Sequence, residues 1–240
     1  MSRLLSLALL PAAALLAYIY HLDTIEKEPW KLLAKLFSAG CLCALPAAML
    51  ESFGLFLISS VNNSTLHAAL EAFCVVAVAE EGCKFAFLCT TWKHDAFDYR
   101  YDAIVYAVCV SLGFAALENI LYVFQYGFAT GVFRAFTSVP GHCFFGVFMG
   151  HWFGRAKYAR FYGLPNAGGM LALSAVMPIL LHGFYDFCCF MSGHLVFVLA
   201  FYGFLAIFFY AAIRCVRKAS QCDVPVGWKN KKVSGNIPFI

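Results

Sequence analysis

Hydrophobic residues fall into seven long runs along the chain, and a short polar segment separates each run from the next. A stretch of about 20 apolar residues crosses the hydrocarbon core of a bilayer as an α-helix. The pattern therefore predicts seven transmembrane helices, at Leu4–Tyr20, Leu32–Ser59, Leu66–Thr90, Tyr101–Gln125, Phe133–Gly154, Ala167–Phe190 and His194–Ile213. The sequence contains no internal repeat and no stretch polar enough to predict a soluble domain.

Composition narrows the class of protein. Of the 240 residues, 62% are apolar and only 12% are Asp, Glu, Lys or Arg, and the mean hydropathy is +0.77. Soluble domains carry about 25% charged residues, because their surfaces need charge for solubility. The composition excludes a soluble enzyme, a disordered chain, a secreted disulfide mini-protein and a nucleic-acid-binding module. It predicts an all-α, polytopic bundle of transmembrane helices that is surrounded by the lipid bilayer and has no nucleic-acid partner.

The basic residues predict the orientation of the bundle. Fourteen of the 17 Lys and Arg residues lie in loops on one side of the predicted spans or in the C-terminal segment, whereas only Arg3 and Arg134 lie on the other side. Loops that are rich in Lys and Arg stay in the cytoplasm. The N-terminus is therefore predicted to be outside and the C-terminus in the cytoplasm. We divide the chain into the bundle, residues 1–214, and a basic cytoplasmic tail, residues 215–240.

The remaining basic residue, Lys84, lies inside the third predicted span together with Glu80 and Glu81. A charge near the bilayer centre costs at least about 2.5–3.5 kcal/mol on insertion scales, so its presence there indicates a function. Glu80 and Lys84 are four residues apart and face the same side of a helix, where they can neutralise each other. Glu81 lies about 100° round the helix from Glu80 and needs another partner or a proton.

Three further spans carry polar groups at a similar depth. The fourth span contains Glu118 and Asn119, the fifth contains His142, and the sixth contains His182 and Asp186, which are four residues apart. From the predicted span ends, these groups lie within about 8 Å of the bilayer midplane at a rise of about 1.5 Å per residue. We therefore predict that they converge with the acidic pair of the third span in one buried site.

These residue types allow more than one chemistry. A buried glutamate can act as a general base on water, while a histidine and the Asn119 amide can stabilise the oxyanion that forms at a peptide carbonyl. Lys84 would keep one carboxylate ionised. The same groups can instead hold a divalent metal such as zinc. The residues leave a metal-free and a metal-dependent mechanism open, and the candidate metal ligands are Glu118, His142, His182 and Asp186.

In order along successive helices, the motifs are Glu80-Glu81-x-x-Lys84, Phe114-x-x-x-Glu118-Asn119, His142 and His182-x-x-x-Asp186. This set resembles the PrsW family of bacterial intramembrane proteases, which is related to the CAAX-processing and bacteriocin-processing membrane proteases. The resemblance covers residues 66–190, the predicted catalytic core. Lys84 and Glu118 distinguish the chain from the CAAX branch, which has an arginine one position later and a histidine in place of the glutamate.

The resemblance implies a hydrolase that cuts a membrane-anchored protein, typically an anti-sigma factor, on its extracytoplasmic side in site-1-type regulated proteolysis. It also implies that Glu80 and Glu81 activate the water and that His142, His182 and Asp186 complete the site.

We therefore predict an intramembrane endopeptidase in the cytoplasmic membrane of a bacterium, with a single-span membrane protein as its substrate. The predicted catalytic residues are Glu80, Glu81, Glu118, His142 and His182, supported by Lys84, Asn119 and Asp186. One alternative is a proton- or cation-coupled transporter that uses the same carboxylates, although the sequence has no repeated pair of broken helices of the kind that transporters often show. The other alternative is a noncatalytic membrane scaffold or receptor.

Overall fold

The computed structural model describes residues 2–227. Within this range the chain forms helices, their connecting loops and one isolated bridge between Tyr99 and Pro225, so the predicted all-α fold is confirmed. The α-helices are α1 Ser2–His21, α2 Trp30–Ile58, α3 Ser64–Leu70, α4 Ala77–Cys89, α5 Asp102–Tyr126, α6 Phe128–Phe136, α7 Ser138–Tyr162, α8 Ala167–Phe190 and α9 Leu195–Gln221. A π-helical turn, Glu71–Val76, joins α3 to α4 without interruption.

Five of the described helices are long and apolar enough to cross a membrane, namely α1 from Leu4 onward, α2, α5, α8 and α9. The continuous helical segment 64–89 and helix α7 provide two further long helical paths. The chain is therefore a multi-pass helical protein. The number of seven spans and the orientation of the termini stay predictions.

Helix α6 is a separate short element that the hydrophobic pattern does not predict. The predicted fifth span begins at Phe133, but Phe133 belongs to α6, and the long helix begins at Ser138. Two backbone positions cause this difference. Gly127 ends α5 with φ +86°, a conformation that favours glycine, and Thr137 separates α6 from α7 with φ −121° and ψ −71°.

Helix α5 lies at the centre of the bundle, where it packs against α1, α2 and α7. Helix α7 presents Gly146, Gly150 and Gly154 to α5, at a spacing of four residues that places them on one face. A Cβ atom added at Gly150 would lie 2.4 Å from the carbonyl oxygen of Ala103 and 2.5 Å from Cα of Ile104. Small residues at this spacing let helix backbones approach closely in membranes. The α5–α7 pair is therefore in backbone contact.

Buried acidic residues lie in the loop between α1 and α2. Asp23 and Glu28 are 2% and 4% exposed, and a carboxylate oxygen of Glu28 accepts a hydrogen bond from the hydroxyl of Tyr106 on α5. Burial raises the pKa of Asp23 to about 6 and the pKa of Glu28 to about 7. These loop residues therefore give the folded protein two carboxyl groups that resist ionisation.

The C-terminal part of the described chain packs against the segment before α5. Helix α9 continues through the predicted boundary at residues 214–215 and ends at Gln221. Oδ1 of Asp223 accepts a hydrogen bond of 2.8 Å from the backbone N–H of Tyr101, and the N–H of Val226 donates to the carbonyl of Asp98. The predicted tail therefore begins as part of α9. Its remaining residues, 228–240, lie outside the described residues.

Candidate active site

Helix α4 carries two glutamates and a lysine that point into the bundle. Glu80 is 6% exposed, and Glu81 and Lys84 are each 0% exposed. The helix reaches this position through the π-helical turn, in which the N–H of Ala77 donates to the carbonyl of Ala72, five residues back. The wide turn rotates the helix that follows it, and such turns are frequent at functional sites. The turn therefore sets which face of α4 looks inward.

The ammonium group of Lys84 lies at the centre of the site. Nζ donates to Oε2 of Glu80 at 3.0 Å and to Oε1 of Glu81 at 2.7 Å. It lies 3.2 Å from Nδ1 of His142 and 4.0 Å above the ring centroid of Phe114. The Glu80–Lys84 pair that the spacing predicts is therefore present, and Glu81 shares the same cation.

His142, on α7, joins Lys84 to Glu118 on α5. A lysine ammonium can only donate, so Nδ1 of His142 must accept from Lys84 and the ring proton must lie on Nε2. Nε2 then donates to Oε2 of Glu118 at 2.9 Å. Both ring nitrogens of His142 are therefore engaged, and the hydrogen bond to Glu118 fixes the tautomer and the orientation of the ring.

His182, on α8, contacts the fully buried glutamate from the other side. Nδ1 of His182 lies 2.9 Å from Oε1 of Glu81. Its Nε2 lies 3.2 Å from Oδ2 of Asp186, one turn further along α8, but out of line for a hydrogen bond. The imidazole stacks on Phe145, with ring centroids 4.9 Å apart, and lies edge-on to His142 at 5.3 Å. Aromatic packing thus holds the second histidine in place.

The network contains one charged residue, Arg134, that sequence analysis does not identify as a site residue. Nη2 of Arg134 lies 2.8 Å from Oε2 of Glu118, and its Nε donates to Oδ1 of Asn119 at 3.0 Å. Nδ2 of Asn119 donates to the carbonyl of Ala8 on α1 at 3.0 Å. The signal in the sequence is that Arg134 is an isolated charge in an apolar stretch. Asn119 is hydrogen-bonded at both ends, and its role at an oxyanion stays a prediction.

The structure brings all the predicted site residues into one connected network, with Arg134 as an additional member. Along the contacts, the order is Asp186, His182, Glu81, Lys84 with Glu80, His142, Glu118, Arg134 and Asn119. Helices α4, α5, α6, α7 and α8 each contribute at least one of these side chains. The predicted convergence of spans three to six is therefore observed, while the catalytic roles stay predictions.

Two glutamates and two histidines each offer a ligand atom within 4.8 Å of the other three, and they are Glu80, Glu81, His142 and His182. Two carboxylates and two imidazoles suit a zinc ion. Oε2 of Glu81 is buried and has no hydrogen-bond partner among the described residues, so one donor atom is free. The donor chemistry therefore fits a metal, which would have to displace the Lys84 ammonium. The predicted ligand set differs, because Glu118 and Asp186 lie on the far sides of the two imidazoles.

A family model and several known proteins that are similar to the chain all carry the same family name, PrsW. A family model described as PrsW family intramembrane metalloprotease matches residues 28–213. A protein named Protease PrsW from Oceanobacillus iheyensis is 36% identical over 222 residues, which cover 92% of this chain and 98% of the relative. Proteins of the same name from Geobacillus kaustophilus and Bacillus subtilis are 35% and 31% identical, covering 91% and 93% of this chain and 93% and 99% of the relatives. No solved structure shows a significant match.

Proposed function

Because the chain belongs to the PrsW family of intramembrane metalloproteases and is therefore a membrane peptidase, we propose that its buried glutamates activate the water that hydrolyses a peptide bond of a membrane-anchored protein. The observation that carries the proposal is the convergence of Glu80, Glu81, His142 and His182, whose ligand atoms lie within 4.8 Å of one another inside the bundle. Family membership also disfavours the transporter and the scaffold.

Glu80 is the better placed of the two glutamates to reach water. Its side chain is 8% exposed, whereas that of Glu81 is 0% exposed. Lys84 binds one carboxylate oxygen of Glu80, which leaves the other to accept a proton from water as a general base. The water oxygen then bonds to the carbonyl carbon of the substrate, the C–N bond breaks, and Glu80 returns the proton to the departing amine nitrogen.

Glu81 has a positioning role in this scheme. Its Oε1 binds both Lys84 and His182, so it holds one residue from α4 and one from α8 at a fixed separation. Lys84 contacts both carboxylates and offsets one of their two negative charges, which would otherwise be costly in an interior of low dielectric constant. Glu81 therefore keeps Lys84 beside Glu80, whose carboxylate takes the proton in this scheme.

The family description includes a metal, and the residues that would hold it are Glu80, Glu81, His142 and His182. A bound zinc ion supplies a Lewis acid that polarises the scissile carbonyl and makes a water molecule more acidic. Lys84 has to leave its three partners for this, so the position of its ammonium group and the metal dependence of the enzyme are linked.

We further propose that the protein lies in the cytoplasmic membrane of a bacterium and cuts a single-span membrane protein of the anti-sigma-factor type. The site lies inside a bundle of apolar helices, so a substrate that is itself anchored in the bilayer can reach it by lateral diffusion. The bacterial origin of the relatives supports the location.

The test is cleavage of a panel of single-span membrane proteins by the full-length protein in detergent and in liposomes. Glu80→Gln keeps the size of the side chain and removes the base, so we expect kcat to fall by at least about 10²-fold. Asp95→Asn changes an exposed carboxylate in a loop outside the site and is the matched control. It is expected to cleave like the wild type. Undiminished cleavage by both Glu80→Gln and Glu81→Gln would overturn the proposal.

Treatment with a chelator, followed by addition of zinc, distinguishes metal-assisted hydrolysis from hydrolysis by the glutamate alone. Loss of cleavage with the chelator and its return with zinc support metal-assisted hydrolysis. Cleavage that resists the chelator, in a protein shown to contain no metal, supports activation of water by the glutamate alone.

A further inference from the structure

Arg134 is a buried charge to which the proposed hydrolysis gives no role. It is 8% exposed and is the one charged residue of the nine-residue helix α6. The opposite face of α6 carries Phe128, Phe133 and Phe136, which are all exposed. A short helix that turns aromatic groups outward and its one cation inward has a defined orientation relative to the site.

Contacts with helix α5 fix the guanidinium group. Nε of Arg134 donates to Asn119, and Asn119 is itself tied to the carbonyl of Ala8 on α1. The guanidinium carbon lies 4.0 Å from the ring centroid of Tyr122, a cation–π contact. Arg134 is therefore held in place by α5, and through Asn119 by α1, independently of its contact with Glu118.

Arg134 and His142 meet at the same atom. Nη2 of Arg134 lies 2.8 Å from Oε2 of Glu118, and Nε2 of His142 donates to that oxygen at 2.9 Å. The side chain of Glu118 is 20% exposed, so without Arg134 it would be a partly solvated carboxylate that could rotate away from the imidazole. The contact is an ion pair that is out of line for a hydrogen bond, so the guanidinium holds Glu118 by its charge at short range.

We propose that Arg134 is a positioning residue of the active site and acts through Glu118, an inference that rests on the proposed function of that site. By fixing Glu118, Arg134 keeps the imidazole of His142 in the orientation in which its Nε2 proton is hydrogen-bonded to Glu118. The lone pair on Nδ1 then stays directed at Lys84, which remains beside the two glutamates. Helix α6 is thereby part of the catalytic unit, although it contributes no residue that touches the water.

A double-mutant cycle tests whether Arg134 acts through Glu118. We expect Arg134→Ala and Glu118→Gln each to lower kcat by about 10²-fold with KM changed by less than about twofold, because both misplace the same imidazole. The double variant is expected to be no slower than Glu118→Gln alone, whereas independent roles would multiply to a loss of about 10⁴-fold and overturn the proposal.

Two further variants separate positioning from folding. Phe133→Ala removes a side chain from the exposed face of α6 and is expected to cleave like the wild type. Arg134→Lys retains the charge but cannot bind Glu118 and Asn119 with separate nitrogens, so we expect it to recover part of the lost rate. Equal rates for Arg134→Ala and Phe133→Ala would contradict the proposal.

An NMR measurement tests, without any substrate, whether Arg134 affects the imidazole of His142. The ¹⁵N spectrum of histidine-labelled protein, assigned with His142→Asn, is expected to show the Nε2–H tautomer of His142 in the wild type and a different tautomer population in Arg134→Ala. An unchanged His142 signal in Arg134→Ala would overturn the proposal. Failure of the wild type to cleave any substrate would count against the proposed function alone, because the spectrum still tests the role of Arg134.

Discussion

Gly150 lies where the backbones of α7 and α5 are in contact, and we expect Gly150→Ala to lower both stability and activity. The added Cβ atom would lie 2.4 Å from the carbonyl oxygen of Ala103 and 2.5 Å from Cα of Ile104. Non-bonded carbon atoms pack at about 3.5–4.0 Å, so the two helices have to separate by about 1 Å to admit the methyl group. Neither neighbour can rotate aside, because both clashing atoms belong to the backbone.

The magnitude follows from two opposing effects. Overpacking costs about 1–3 kcal/mol, and the better helix propensity of alanine offsets about 1 kcal/mol of it. The separation also moves His142, on α7, away from Glu118, on α5. Stretching their 2.9 Å hydrogen bond by about 1 Å breaks it. A misplacement of that size in an active site can cost about 10²-fold in rate.

The assay combines thermal unfolding, measured at one heating rate in one detergent, with kcat on a single-span substrate. Gly203→Ala, in α9, is the matched control, because no atom outside its own helix backbone lies within 4 Å of the added Cβ. It is expected to unfold at the wild-type temperature or slightly above it. If Gly150→Ala behaves like Gly203→Ala in both measurements, the two backbones are not in contact as described.

Two further predictions concern charge. Lys84→Met removes the cation that Glu80 and Glu81 share, and loss of one partner of a buried ion pair costs about 3–5 kcal/mol, so we expect a lower unfolding temperature and no cleavage. Wild-type stability would contradict the ion-pair network. The pKa values of Asp23 and Glu28 are raised to about 6 and about 7, so the folded protein binds more protons than the unfolded chain, and these groups lower stability as pH rises from about 4 through those values. The unfolding temperature of Asp23→Asn relative to wild type is therefore expected to rise between about pH 4 and pH 7 and then to level off, and a difference that does not vary with pH would contradict this reasoning.

Contacts within one helix could be predicted from the sequence. The spacing of four residues between Glu80 and Lys84, and between His182 and Asp186, places each pair on one helical face, and both pairs are present. The residues could be assigned to one site because charges are rare in an apolar chain, so each intramembrane charge indicates a function.

Contacts between helices could not be predicted in the same way. The sequence indicates that Glu81 needs a partner. In the structure it has two, Lys84 and His182. The contact with His182 depends on the rotation and the depth of α8, and a run of hydrophobic residues encodes neither the rotation nor the depth of its helix. The contact of Arg134 with Glu118 could not be predicted either, because it also joins two helices. The count of charged residues places it on one side of the membrane, whereas the break at Gly127 and the separate helix α6 turn it back toward Glu118.

The π-helical turn Glu71–Val76 also determines which changes in chain length the protein can accept. The helical segment begins at a fixed point, because Oδ1 of Asn63 accepts a hydrogen bond from the N–H of Leu66 at 2.9 Å. Converting the turn to regular α-helix without removing a residue would rotate everything after it by about 100°, the angle of one residue. Lys84 would then face away from His142. The turn therefore absorbs one residue more than regular α-helix needs between the cap and the acidic pair. A chain shorter by one residue in this segment could keep Glu80 and Glu81 on the same face by forming regular α-helix there.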